Sequence, residues 1–174
     1  PFEKVAGWTS LLVGLAAILM AGMVGSFSNT QFDGILNVHS AMDSVWYKFV
    51  SQPVLSVGVV ALWFVLFAKI FGKSSVRAID VVGTQCFAFL PLAPVSTLGF
   101  FHIVQVMNVK LQEFAANPGT SLDVGPLQMT AFVVLMLVVM LLTVWSAIWI
   151  YKGLKVAANL PDSIHIPVYI SGLI

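Results

Sequence analysis

Residues 72–94 read GKSSVRAIDVVGTQCFAFLPLAP. Lys73, Arg77 and Asp80 stand just ahead of a long apolar run, and Pro91 and Pro94 fall near the middle of that run. Charges flanking an apolar segment decide which way it faces across a bilayer. A proline inside such a segment removes a backbone donor and forces the helix to kink or break. The stretch therefore predicts a membrane-spanning third segment, broken or kinked at Pro91 and Pro94, behind a charged loop.

The rest of the chain supports a membrane class. Of its 174 residues, 59% are hydrophobic and 9% charged, with a mean hydropathy of +0.99. Soluble domains carry roughly 25% charged residues, and so few charges could not cover a soluble fold of this size. The net charge of +1 offers no basic surface for nucleic acid. The one cysteine, Cys86, excludes an intrachain disulfide and a cysteine-rich metal site. The first apolar run is too long, and its exit too polar, for a cleaved signal peptide. The chain is expected to continue beyond both ends, mainly beyond Ile174.

A bilayer crossing takes about 20 apolar residues. Four runs qualify, at 5–27, 53–71, 81–107 and 127–150, and a fifth over 164–174 is too short to cross. The fold expected is an all-α polytopic bundle of four full spans and a partial fifth, forming one transmembrane domain over 1–174. Counting the loops alternately puts Lys4, Lys69, Lys73, Arg77, Lys152 and Lys155, six cations, on one side, and Lys48 and Lys110, two, on the other. The positive-inside rule then places the N-terminus and the second and fourth loops in the cytosol. Small residues at Gly7, Ser10, Gly14, Ala17, Ala21 and Gly25 form one smooth stripe on the first helix, an expected internal packing face. The fourth helix reads as largely lipid-facing. Trp8, Trp46, Trp145, Trp149 and Tyr151 are expected near segment ends as interfacial anchors.

Three groups of residues could carry function. Arg77 and Asp80, three apart, can pair on one helical face, and Lys69, Lys73 and Arg77 recur every four residues, a spacing suited to anionic headgroups. Lys73, Arg77 and Asp80 thus form a candidate surface for a partner protein or for lipid headgroups. Around the prolines, Gln85, Pro91, Pro94, His102 and Gln105 are the candidate intramembrane polar site, because transporters build midplane sites from broken helices. In the first loop, Asp33, His39 and Asp43 are metal-ligand types, but no cysteine or second histidine joins them. That loop is read as polar and metal-free, with an amphipathic surface helix over 41–49. No nucleophile motif, phosphate loop or redox cysteine pair appears, so neither enzyme activity nor a cofactor is expected.

The segment KIFGKSSVRAIDVVGTQCFAFLPL, residues 69–92, resembles the corresponding loop and helix of Yip-domain membrane proteins, particularly bacterial ones. The likeness lies in Gly72–Lys73–Ser74, in Val76–Arg77 with Asp80 three residues on, in Gly83–Thr84–Gln85, and in the proline of the next apolar run. WSAIWIYKGLKVAANLP, residues 145–161, is similar to that family's stretch before its fifth helix, and QFDGILNVHSAM, residues 31–42, to its bacterial members. The resemblance implies a five-helix bundle with a cytosolic N-terminus and an outside C-terminus, and no catalysis. Eukaryotic relatives bind Rab-type GTPases and act in vesicle traffic.

The function expected is a non-enzymatic, multi-pass membrane scaffold or interaction module of the Yip type in a bacterial inner membrane. Its expected partners are membrane lipids and another membrane or cytosolic protein, with homo-oligomers allowed. The rival is a small transporter, channel or permease subunit with its site at the broken third helix, and lipid handling between the helices is a third reading.

Overall fold

A computed structural model describes residues 7–34, 37–40, 45–72, 76–119 and 124–173. Their order is α1 (Gly7–Ser28), β1 (Thr30–Phe32), β2 (Val38–Ser40), α2 (Trp46–Phe71), α3 (Ala78–Ala88), a 3-10 helix (Leu90–Phe100), α4 (His102–Ala116), α5 (Pro126–Ala158) and α6 (Asp162–Leu173). Four segments, Gly7–Ser28, Trp46–Phe71, Ala78–Phe100 and Pro126–Ala158, are long and apolar enough to cross a membrane. The protein is an all-α multi-pass membrane bundle with one small antiparallel hairpin, in which Gln31 pairs with His39.

The third segment is the centre of the bundle. Val81, Gly83, Thr84, Gln85, Cys86 and Ala88 are buried in α3, and Pro91, Leu92, Val95, Ser96 and Gly99 in the 3-10 helix. α1 runs parallel to it along its whole length. Gly7 lies on Asp80, Gly14 on the Cys86–Phe87 peptide, and Gly99 on the Ser28 carbonyl. At Gly14 and Gly99 an added Cβ would collide with backbone, so these contacts require glycine. The small-residue stripe is this face: Ser10, Gly14, Ala17, Ala21 and Gly25 are all buried. Lipid offers no hydrophobic gain for helix association, so close backbone approach is what holds such helices together.

α5 runs antiparallel to α3, with Gly153 against Thr84 and the Trp149 ring stacked on Phe87 at 5.4 Å. Only its second half is packed in this way; Leu127, Val133, Val134, Leu137, Val138 and Leu141 are exposed. α2 buries Phe49, Pro53, Val57, Ala61, Phe64 and Ala68, spaced three and four apart, as one helical face. α6 leans on α2 and α5 through Trp63 Nε1–H donating to Ser171 Oγ (3.1 Å) and Tyr169 O–H donating to the Ala147 carbonyl (3.0 Å). Its 12 residues span about 18 Å, short of the roughly 30 Å hydrocarbon core.

Several sequence expectations are corrected. α2 starts at Trp46, not at residue 53, because Pro53 is accommodated inside the helix. Trp46 to Phe49 are therefore its first turn and not part of a separate surface helix; residues 41–44 lie outside the described residues. The third segment does not continue to residue 107. It turns at Phe101, whose backbone is extended (φ −79°, ψ 114°), and His102 opens a new helix. α5 continues two turns past residue 150, to a left-handed Asn159 (φ 46°) that ends it. Trp145 and Trp149 thus lie well inside a helix rather than at its end. The start of the first loop, read as polar, is drawn into the bundle. Thr30, Gln31 and Phe32 are buried, and Phe32 sets its ring edge-on against Phe89 at 5.2 Å.

Two glycines test this packing. Gly14→Ala is expected to lower stability by about 1–3 kcal/mol through overpacking. Gly58→Ala, which meets nothing within 4 Å, should be neutral or raise stability by up to about 1 kcal/mol. Thermal unfolding in detergent measures both, and equal effects at the two positions would contradict the interface.

Candidate functional site

The break in the third segment has a specific cause. Pro91 has no N–H to offer the Ala88 carbonyl in a 3-10 turn, and the Leu92 N–H turns to the Phe89 carbonyl instead (2.9 Å). The Ala88 carbonyl is met from another helix: Ser146 of α5, fully buried, donates its hydroxyl at 2.7 Å. Further along, Ser28 at the end of α1 donates to the Ser96 carbonyl at 2.5 Å. The Gly99 N–H donates to Thr30 Oγ1 of the hairpin at 3.1 Å, and the Gly99 carbonyl accepts from Gln105 Nε2 of α4 at 2.6 Å. Four side chains from four elements therefore complete the backbone of the irregular segment. Buried irregular backbone survives in a membrane protein only when the protein itself satisfies it.

The hairpin that supplies Thr30 is itself tied down. Gln31 donates to Gln52 of α2, and Asp33 accepts from His39 Nδ1 at 3.2 Å. α1 ends at Asn29 in the left-handed region (φ 55°), which reverses the chain so that Thr30 follows directly.

The sequence-derived site residues do not form one site. Gln85 is buried in α3, its Nε2 donating to the Ile150 carbonyl at 3.4 Å. His102 and Gln105 belong to α4, beyond the 3-10 helix, whose 11 residues cover roughly 20 Å at about 2 Å each. Pro91 is buried and Pro94 exposed. Gln105 lines the cavity described below; Gln85, Pro91, Pro94 and His102 are not in its wall.

At the other end of the bundle Arg77 and Asp80 pair at 3.7 Å. Asp80 sits in the first turn of α3 and Arg77 at its N-cap position, where the carboxylate is favoured by the helix dipole. The four-residue rank of cations is not a helical face: α2 ends at Phe71, Gly72 is extended, and α3 begins at Ala78. Lys69 and Arg77 thus belong to different helices, and Lys73 lies outside the described residues. Asp33 and His39 do meet, while Asp43 lies outside the described residues. Among the described residues no three His, Cys, Asp or Glu side chains gather as for a metal.

The cavity of about 460 Å³ lies between the end of α1, the hairpin, the end of the 3-10 helix, α4 and the first half of α5. Asn29, Thr30, His39, Gln105 and Asn108 give it polar atoms; Leu98, Val104, Phe132, Met136 and Val139 give it apolar wall. Sequence reading named His39 and Gln105 for other roles and missed Ser28, Thr30 and Ser146. Isolated hydroxyls, within an apolar helix for Ser28 and Ser146 and just beyond one for Thr30, are the only sequence signal for those three.

Fold and site together define the class: a polytopic helical membrane protein with a broken central span. Comparison with protein-family models, with curated proteins and with solved structures found no match.

Removing the Ser146 hydroxyl tests the stitching. Ser146→Ala should cost about 1–3 kcal/mol by leaving a buried carbonyl unpaired. Thr130→Ala, whose exposed hydroxyl bonds within its own helix to the Pro126 carbonyl, should be near neutral. Unfolding midpoints in detergent compare the two.

Proposed function

We propose that the protein is a non-enzymatic membrane scaffold or interaction module of the Yip type, set in a bacterial inner membrane with its N-terminus in the cytosol. The observation that carries this reading is the closure of the broken segment: α1, the hairpin, α4 and α5 occupy its polar backbone atoms. A transporter would keep such atoms for solute or ion, and here the protein's own side chains use them. The backbone-to-backbone seam between α1 and the third segment also favours a rigid body over one that rocks between states.

The orientation is supported by the grouping of charge. Lys69 closes α2, Arg77 opens α3, Lys152 and Lys155 lie in the last two turns of α5, and Gly72 lies against Ala158. These cations share one end of the bundle. That end, with Arg77 exposed on it beside a half-buried Asp80, is the surface offered to a cytosolic or membrane partner and to lipid headgroups.

Single-cysteine labelling in a Cys86→Ala background tests both parts. Thr84→Cys and Ser96→Cys, at buried positions, should stay silent to water-soluble thiol reagents from both sides. Arg77→Cys should label only from the cytosol and His102→Cys only from outside. Labelling of Ser96→Cys in folded protein would support a solute path and sink the scaffold reading, and labelling of Arg77→Cys from outside intact cells would reverse the topology.

A further inference from the structure

The cavity beside the 3-10 helix has a divided chemistry that the scaffold reading leaves unused. Its volume of about 460 Å³ falls within the roughly 300–1,000 Å³ of small-molecule sites. One side is a rank of apolar residues on α5, Phe132, Met136 and Val139, spaced four and three apart so that they share a face. The adjoining faces of that helix, with Val133, Val134, Leu137 and Val138, are exposed on a segment apolar enough to cross a membrane. The cavity wall is therefore continuous with a lipid-facing surface.

The polar atoms come from other elements. Asn29 ends α1, His39 stands in the hairpin, and Gln105 and Asn108 lie one turn apart on α4. His39 Nδ1 is taken by Asp33 and Gln105 Nε2 by the Gly99 carbonyl. What remains for a ligand is His39 Nε2, Gln105 Oε1 and two primary amides, a set of hydrogen-bonding groups. No Lys or Arg is among the described lining residues, so the bidentate or ammonium pairing that favours a phosphate headgroup is missing from them.

We propose that this cavity holds one acyl chain of a neutral, hydroxyl-bearing amphiphile of the monoacylglycerol type. The chain lies along Phe132, Met136 and Val139, and the glycerol hydroxyls meet Asn29, His39, Gln105 and Asn108. An aqueous solute would leave the α5 wall unmatched, and a bare hydrocarbon would leave the amides and imidazole unmatched. An amphiphile satisfies both at once. The site stands apart from the partner surface at Arg77, so it is tested separately from the scaffold reading.

The experiment uses the full-length protein in phosphatidylcholine nanodiscs with a monoacylglycerol carrying a diazirine in its acyl chain. Photolabel should concentrate on peptides containing residues 104–109 and 132–139 and should be competed away by unlabelled monoacylglycerol. Val139→Trp, which fills the space, should abolish it, while Leu141→Trp on an exposed face of α5 should leave it intact. Asn108→Leu provides a second variant that keeps the wall. It should erase the preference for the monoacylglycerol over a photoreactive hydrocarbon without hydroxyls. The proposal is overturned by label spread evenly along the exposed residues of α5, or by equal labelling of the same peptides with a diazirine phosphatidylglycerol. It is also overturned by unchanged labelling and unchanged preference in the two cavity variants. Should Val139→Trp not fold, Asn108→Leu decides.

Discussion

The structure depends on one constraint: the backbone of the third segment cannot be left polar inside an apolar bundle. Two prolines prevent that segment from satisfying itself as an α-helix, and it becomes an 11-residue 3-10 helix, longer than the three or four residues usual for that form. Four of its backbone atoms are met by side chains from other elements. Ser146 reaches the Ala88 carbonyl, Ser28 the Ser96 carbonyl, Thr30 the Gly99 N–H and Gln105 the Gly99 carbonyl. These bonds are individually modest, about 0.5–1.5 kcal/mol net each, but an unmade bond in this setting costs more than a made one contributes. They therefore fix where α1 must end, where the hairpin must turn and how α5 must lie.

The glycine seam is the second half of the same solution. Hydroxyl groups on short side chains reach a neighbouring backbone only if the helices come close. Gly7, Gly14 and Gly99 bring α1 and the third segment together closely enough that an added Cβ would strike the opposite chain. Small residues along α1 thus serve two ends: dispersion contact along the whole seam, and the short reach that Ser28 and Thr30 need. The hairpin follows from this arrangement. Once Asn29 reverses the chain, Thr30 is in place beside Gly99 and Phe32 falls against Phe89.

Much of the fold was legible in the sequence, because it is written in local terms. The four apolar runs, the small-residue face of α1, the break after Ala88 and the Arg77–Asp80 pair all follow from spacing within one segment. What was not legible depends on residues far apart. Ser146 and Ala88 are separated by 58 positions, and nothing near either serine or alanine announces the bond. The second span was read as starting at residue 53, whereas Pro53 lies inside α2, as a membrane helix can allow. His102 and Gln105 were grouped with Gln85 because the span was read as one broken segment reaching residue 107, and the 3-10 helix and the extended Phe101 separate them. The hairpin was missed because its strands have three residues each and its buried strand, Thr30–Phe32, is mostly polar in sequence.

The proposed scaffold reading rests on closure of the broken span by the protein's own side chains. Amide hydrogen exchange on the protein in nanodiscs, resolved to peptides of the third segment, tests that closure most directly. The account predicts that residues 90–100 are protected as strongly as residues 78–88, and that Thr30→Val raises exchange at residues 97–100 while leaving residues 78–88 unchanged. Exchange of residues 90–100 as fast as the exposed end of α4, residues 111–116, would contradict it.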